Sequence, residues 1–86
     1  MKQNKTLTTV LNRMFKIAGY NKTIEDVVNE QDEYWYTNHT MTEEQEEQWL
    51  DWSQNYLISE LSWSKQKAKR EMQWVNLTYG LRIIKQ

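Results

Sequence analysis

Apolar residues recur at helical spacing through most of this 86-residue chain, in four runs separated by short polar breaks. In the first run Leu7, Val10, Leu11, Met14, Phe15, Ile17 and Ala18 share one face. At roughly 100° per residue they cover an arc of about 160°, an ordinary core-facing stripe. The pattern predicts a helix over 7–18, with Thr6 as its cap, Lys16 in the last turn where the helix dipole favours a cation, and Gly19 as the C′ residue. A second start follows at Thr23, with Glu25 and Asp26 in the first turn and Ile24, Val27, Val28, Tyr34 and Trp35 at helical spacing. This predicts a helix over 24–35. The β-branched and aromatic pairs Val27-Val28 and Tyr34-Trp35-Tyr36 also permit short strands. Residues Thr37, Asn38, His39 and Thr40 read as a loop.

The third run has the clearest start. Thr42 is followed three residues later by Gln45, the spacing of a capping box, in which each side chain satisfies a backbone N–H that the first turn leaves orphaned. Glu43, Glu44, Glu46 and Glu47 fill the first turns, matched to the dipole. Trp49, Leu50, Trp52, Tyr56, Leu57 and Leu61 then give a helix over 43–61 whose apolar arc is roughly half the circumference. So wide an arc predicts either a central helix or one with an available edge at Trp49 and Trp52. After Ser62, Trp63 and Ser64 a fourth helix is predicted over 65–79, capped by Ser64, with Trp63 and Ala68 at the N′ and N4 positions of a hydrophobic staple. It carries two stripes. Ala68, Met72, Val75 and Tyr79 suit a core, while Trp74, Leu77 and Leu81 lie on nearly the opposite side. Gly80 stops this helix, and Leu81-Arg82-Ile83-Ile84 reads as a docked extension. The fold class these runs predict is all-α: one domain over 1–86, a small bundle of three to four helices organised on the hairpin of 42–80.

Composition agrees. The chain has no Pro and only two Gly, favouring long helices over tight turns, and no Cys, which removes disulfides and thiolate metal sites. Five Trp, five Tyr and one Phe are a heavy aromatic load for this length. They can build a core that chain length alone leaves modest, and they are also the residues that dominate interfaces. No apolar run is long enough for a signal peptide or a membrane span, so no membrane association and a cytoplasmic location are expected.

The net charge of −1 conceals strong segregation. Residues 1–22 carry five basic side chains and no acid; residues 23–64 carry eleven acids and no Lys or Arg; residues 65–86 carry six basic residues and one acid. Two readings stay open: the basic ends fold back on the acidic middle, or an acidic face survives folding and is directed at a basic partner.

Candidate chemistry is sparse. There is no nucleophilic Cys, no Gly-rich phosphate loop and no metal-ligand spacing. The single histidine, His39, reads as a surface imidazole in a polar loop. The glutamate run lacks the turn-forming loop of a calcium site. No enzyme, cofactor or metal is expected. Nucleic-acid binding is the first alternative: two helices joined by a corner form the skeleton of a helix-turn-helix, and the second opens with Lys65, Lys67, Lys69 and Arg70. The acidity of the preceding helix opposes that use. Protein binding accounts for more of the pattern. Trp49, Trp52, Trp74, Leu77 and Leu81 would act as apolar anchors, with Glu43, Glu44, Glu46 and Glu47 steering a basic partner. The same apolar patch would also serve a homodimer or a structural homo-oligomer.

The C-terminal half, from Trp49-Leu50-Asp51-Trp52 through Trp74-Val75-Asn76-Leu77-Thr78-Tyr79-Gly80-Leu81, resembles small proteins of tailed phages. The resemblance rests on a Trp-rich acidic helix, a Lys-rich corner and an aromatic-Gly-Leu ending over about forty residues. It implies a role in an infected bacterial cytoplasm, binding and modulating a host protein in the manner of host-takeover, anti-restriction or anti-CRISPR factors. It supplies no catalytic residue.

Overall fold

The computed structural model describes residues 5–31 and 39–84. In chain order it contains α1 (Lys5–Ile17), α2 (Ile24–Asn29), β1 (Thr40–Thr42), α3 (Glu43–Leu61), α4 (Lys65–Tyr79) and β2 (Arg82–Ile84). Helices dominate, as the periodicity predicts, but the all-α expectation needs a correction: β1 and β2 form a two-stranded parallel sheet, with Thr40 opposite Arg82, Met41 opposite Ile83 and Thr42 opposite Ile84. Both strands are rich in β-branched residues (Thr40, Thr42, Ile83, Ile84), which suit extended backbone. Thr40 therefore belongs to a strand and not to a loop.

Local signals place α3 and α4. The Thr42 hydroxyl accepts the Gln45 N–H at 3.1 Å while the Thr42 N–H donates to Gln45 Oε1 at 2.8 Å, a complete capping box. Thr23 and Asp26 form a second box at the start of α2, and Ser64 caps α4 by accepting the Lys67 N–H at 3.1 Å. At the end of α3 Ser62 takes the left-handed conformation (φ 58°), and the N–H groups of Ser62 and Trp63 both turn back to the Leu57 carbonyl. A serine here does the work usually left to glycine, at a steric cost of about 1–2 kcal/mol.

Three local expectations change. Thr6 lies inside α1, which has already begun at Lys5, so it is not the cap. The second helix ends at Asn29, not at residue 35: Gln31 has a positive φ of 55°, which breaks the helical path. The proposed continuation through Tyr34 and Trp35 lies outside the described residues. Gly19 has the positive φ of 87° expected of a C′ glycine, whereas Gly80 is extended, with φ −60°. What Gly80 supplies is room, since a Cβ there would collide with the Asn76 carbonyl and side-chain amide.

The core lies where α1, α3 and α4 meet, with α3 packed against α1, α4, β1 and β2. Val10, Leu11, Met14 and Phe15 of α1, Met41 of β1, Trp49 and Leu57 of α3, and Ala68, Met72 and Val75 of α4 are buried together. Leu81 joins them from the segment after Gly80, so the C-terminal extension is docked. The wide apolar arc of α3 is explained by this central position.

Candidate interaction surfaces

The predicted anchors divide sharply. Trp49 is fully buried, and its indole Nε1–H donates to the Val10 carbonyl of α1 at 2.7 Å. It cannot touch a partner while the domain is folded; burial of a ring this size organises the core instead. Leu81 is corrected likewise: it leaves the α4 stripe, because the chain turns at Gly80, and it is buried. Trp52 is half-buried and engaged within the molecule. Its ring stacks on Tyr56 at 5.3 Å with only 5° between planes, and the Arg13 guanidinium of α1 lies 4.2 Å from the ring centroid. Spacing of four residues on one helix is the signal for the Trp52/Tyr56 pair; the guanidinium above it comes from another element, beyond the reach of local spacing.

Trp74 and Leu77 do reach solvent, at 53% and 89% exposure. They stand on the outer face of α4, opposite Ala68, Met72 and Val75. The Trp74 ring meets the Tyr79 ring edge-on at 6.1 Å, and Trp74 borders a cleft lined in part by Leu7, Trp63 and Met72. Of the predicted apolar anchors, these two form the exposed pair.

The acidic turn of α3 lies beside β2. Glu43, Glu44 and Glu47 are exposed, and with Thr42 and Ile84 they line one shallow groove. Glu43, Glu46 and Glu47 also line a second, together with Leu50, Asp51, Gln54 and Ile83. Glu46 accepts a hydrogen bond from the Asn76 side-chain amide at 3.1 Å, which ties α3 to α4. Among the described residues no cation comes within ion-pair distance of Glu43, Glu44, Glu47 or Asp51; the acidic group that finds one is Glu30, paired with Lys22 at 2.8 Å. Between these described residues, the basic segments do not neutralise the start of α3. The apolar contributions of Ile83, Ile84 and Leu50 to this surface were not among the predicted site residues. The contact with β2 depends on pairing of segments forty residues apart, which no local pattern reports.

Lys65, Lys67, Lys69 and Arg70 are all exposed on the opening turns of α4. Their conflict with the helix dipole is eased at one position, because Lys67 Nζ lies 4.3 Å from the centroid of the Trp63 ring. His39 is not a free surface imidazole. It packs on Tyr20 with centroids 4.6 Å apart and edge-on to Phe15 at 6.1 Å, and its Nε2 is buried without a hydrogen-bond partner among the described residues. The Tyr20 hydroxyl in turn accepts the Thr40 N–H at 2.9 Å, so this aromatic group secures β1 to α1.

Among the described residues no group of three or more His, Asp or Glu is placed to hold a metal ion, and no helix is long and apolar enough to cross a membrane. No protein-family model, curated protein or solved structure matches the chain.

Proposed function

We propose that this chain is a non-enzymatic binding protein that engages a basic surface of another protein through the acidic opening of α3. The observation that carries this reading is the clustering of Glu43, Glu44, Glu47 and Asp51, unpaired with any described cation, around apolar Leu50, Ile83 and Ile84. Exposed like charges repel one another, and a cationic partner relieves that repulsion while the apolar floor adds contact area. Trp74 and Leu77 supply a second, uncharged contact on α4, of the kind that marks partner sites. The resemblance to tailed-phage proteins points to a bacterial host protein as the partner, and inhibition or regulation as the outcome. An acidic face of this kind would compete with nucleic acid for the partner's basic site.

The rival is nucleic-acid binding through the exposed Lys65, Lys67, Lys69 and Arg70, with Trp63 beside them for stacking. Capture from bacterial lysate separates the two. The binding reading expects proteins that are retained at low salt, released at about 0.5 M salt as screening shortens to a few ångströms, and not captured by Glu43→Lys/Glu47→Lys. Identical captures by that variant overturn it. Salt-dependent binding of duplex or single-stranded nucleic acid that Lys67→Glu/Arg70→Glu abolishes establishes the rival.

A further inference from the structure

The two-stranded sheet leaves a strand edge open. β2 pairs with β1 on one side, and among the described residues nothing pairs with its other edge. Parallel sheets are almost always buried on both faces, and isolated two-stranded ribbons are marginal. Exposed edges are usually blunted by very short strands, edge charges, proline or bulges, and β2 carries two of these, its three-residue length and the exposed Arg82. Here the edge has no proline and presents Ile84 at 47% exposure, with Arg82 exposed two residues earlier on the same side of the strand.

We propose that β2 pairs antiparallel with β2 of a second copy of this chain, giving a twofold dimer with a four-stranded sheet in the order β1-β2-β2-β1. The self-complementarity lies in the strand itself. Centring the twofold axis on Ile83 pairs all three residues of each strand: Ile83 meets the partner copy's Ile83, and Arg82 faces the partner copy's Ile84. Residues directly opposite in an antiparallel pair share a face, with Cβ atoms about 5 Å apart. Ile84 lines the groove formed by Thr42, Glu43, Glu44 and Glu47. Each Arg82 is therefore delivered to the acidic groove of the other copy, where carboxylates have no described cation of their own. The interface satisfies unpaired backbone groups, covers Ile84 and sets each Arg82 among the other copy's carboxylates, which opposes the like-charge repulsion between the two acidic grooves that meet at Ile83. It brings one Arg to each five-carboxylate face (Glu43, Glu44, Glu46, Glu47 and Asp51) and covers part of the floor assigned above to a basic partner, so a second copy competes with that partner for this surface; self-association is read on the isolated chain, and its failure leaves the lysate capture unaffected.

Sedimentation or light scattering of the full chain tests this at about 100 µM, a concentration at which even a weak dimer with a micromolar Kd is largely assembled. The expected result is twice the monomer mass. Arg82→Glu, an exposed change checked for folding by circular dichroism, is expected to weaken association about tenfold or more, and adding Glu44→Lys/Glu47→Lys to it restores association. Because the chain has no cysteine, single cysteines read the register. Ile83→Cys places two Cα atoms about 4.5–5.5 Å apart, within disulfide reach, and is expected to cross-link under mild oxidation. Arg82→Cys and Ile84→Cys sit on diagonals of about 7–8 Å and are expected to cross-link far more slowly. A monomeric wild type overturns the proposal, as does a dimer in which Ile83→Cys fails to cross-link or all three cysteines react alike. A dimer dissolved by Trp74→Ala/Leu77→Ala but not by Arg82→Glu overturns it too, by moving the interface to α4.

Discussion

Trp49 and Trp74 stand on adjacent helices with opposite fates. Each lies within a stripe of apolar residues at helical spacing, and each reads from its neighbours as an equally good anchor. In the folded chain Trp49 is enclosed by α1 and its indole N–H is satisfied by the Val10 carbonyl, whereas Trp74 stands half in water on the outside of α4. The difference teaches that an apolar stripe is a requirement for burial but does not choose the surface to be buried. α3 is sandwiched, so neighbours on both sides bury the middle of its wide stripe, Trp49 and Leu57, and leave its edges half-buried. α4 is peripheral, so it has one neighbour-facing stripe and one left over.

The contrast can be broken or sharpened by mutation. The largest effect is expected at Trp49. Trp49→Ala removes a buried aromatic and a buried hydrogen bond, and should cost about 3–5 kcal/mol in denaturant unfolding. A loss below about 1 kcal/mol would show that Trp49 is not the centre of the core. Ser53 comes next. It lies one turn further along α3, wholly buried, with no hydrogen-bond partner for its hydroxyl among the described residues. Ser53→Ala removes a polar group that burial penalises and is expected to stabilise the fold by about 1 kcal/mol, read as a higher urea midpoint at unchanged slope. Destabilisation would mean that the hydroxyl is satisfied in solution. The smallest effect on stability is expected on the outer stripe, where Trp74→Ser and Leu77→Ser should each change it by no more than about 0.5 kcal/mol. If those residues are partner contacts, the same changes reduce capture of the bound protein while leaving the unfolding midpoint in place.

Legibility from sequence followed range of interaction. The starts of α2, α3 and α4 could be read from Thr23, Thr42 and Ser64 because a cap acts within three residues of itself. The stripe of α1 contained its buried residues, Val10, Leu11, Met14 and Phe15, which lie along the middle of the helix, while Leu7 and Ile17 towards its ends, and Ala18 just past it, are half-buried. The acidic opening of α3 was likewise visible. Its apolar companions Ile83 and Ile84 were not, because they arrive from the far end of the chain. His39 was misread for the same reason: its sequence neighbours are polar, and the rings that enclose it, Phe15 and Tyr20, belong to α1 and the turn after it.

What this sequence determined by itself is the set of elements that short-range chemistry can specify: amphipathic helices, their caps, the segregation of charge and the absence of cysteine chemistry. Tertiary structure alone decided which of two apolar stripes went inside, that Leu81 would leave the α4 stripe for the core, and that Thr40–Thr42 and Arg82–Ile84 would meet as strands. A strand pair in which each member is three residues long has too few contacts to be specified locally. It forms because α3 and α4 carry its two segments to the same place, and that placement also sets an apolar strand edge beside glutamates that pair with no cation among the described residues.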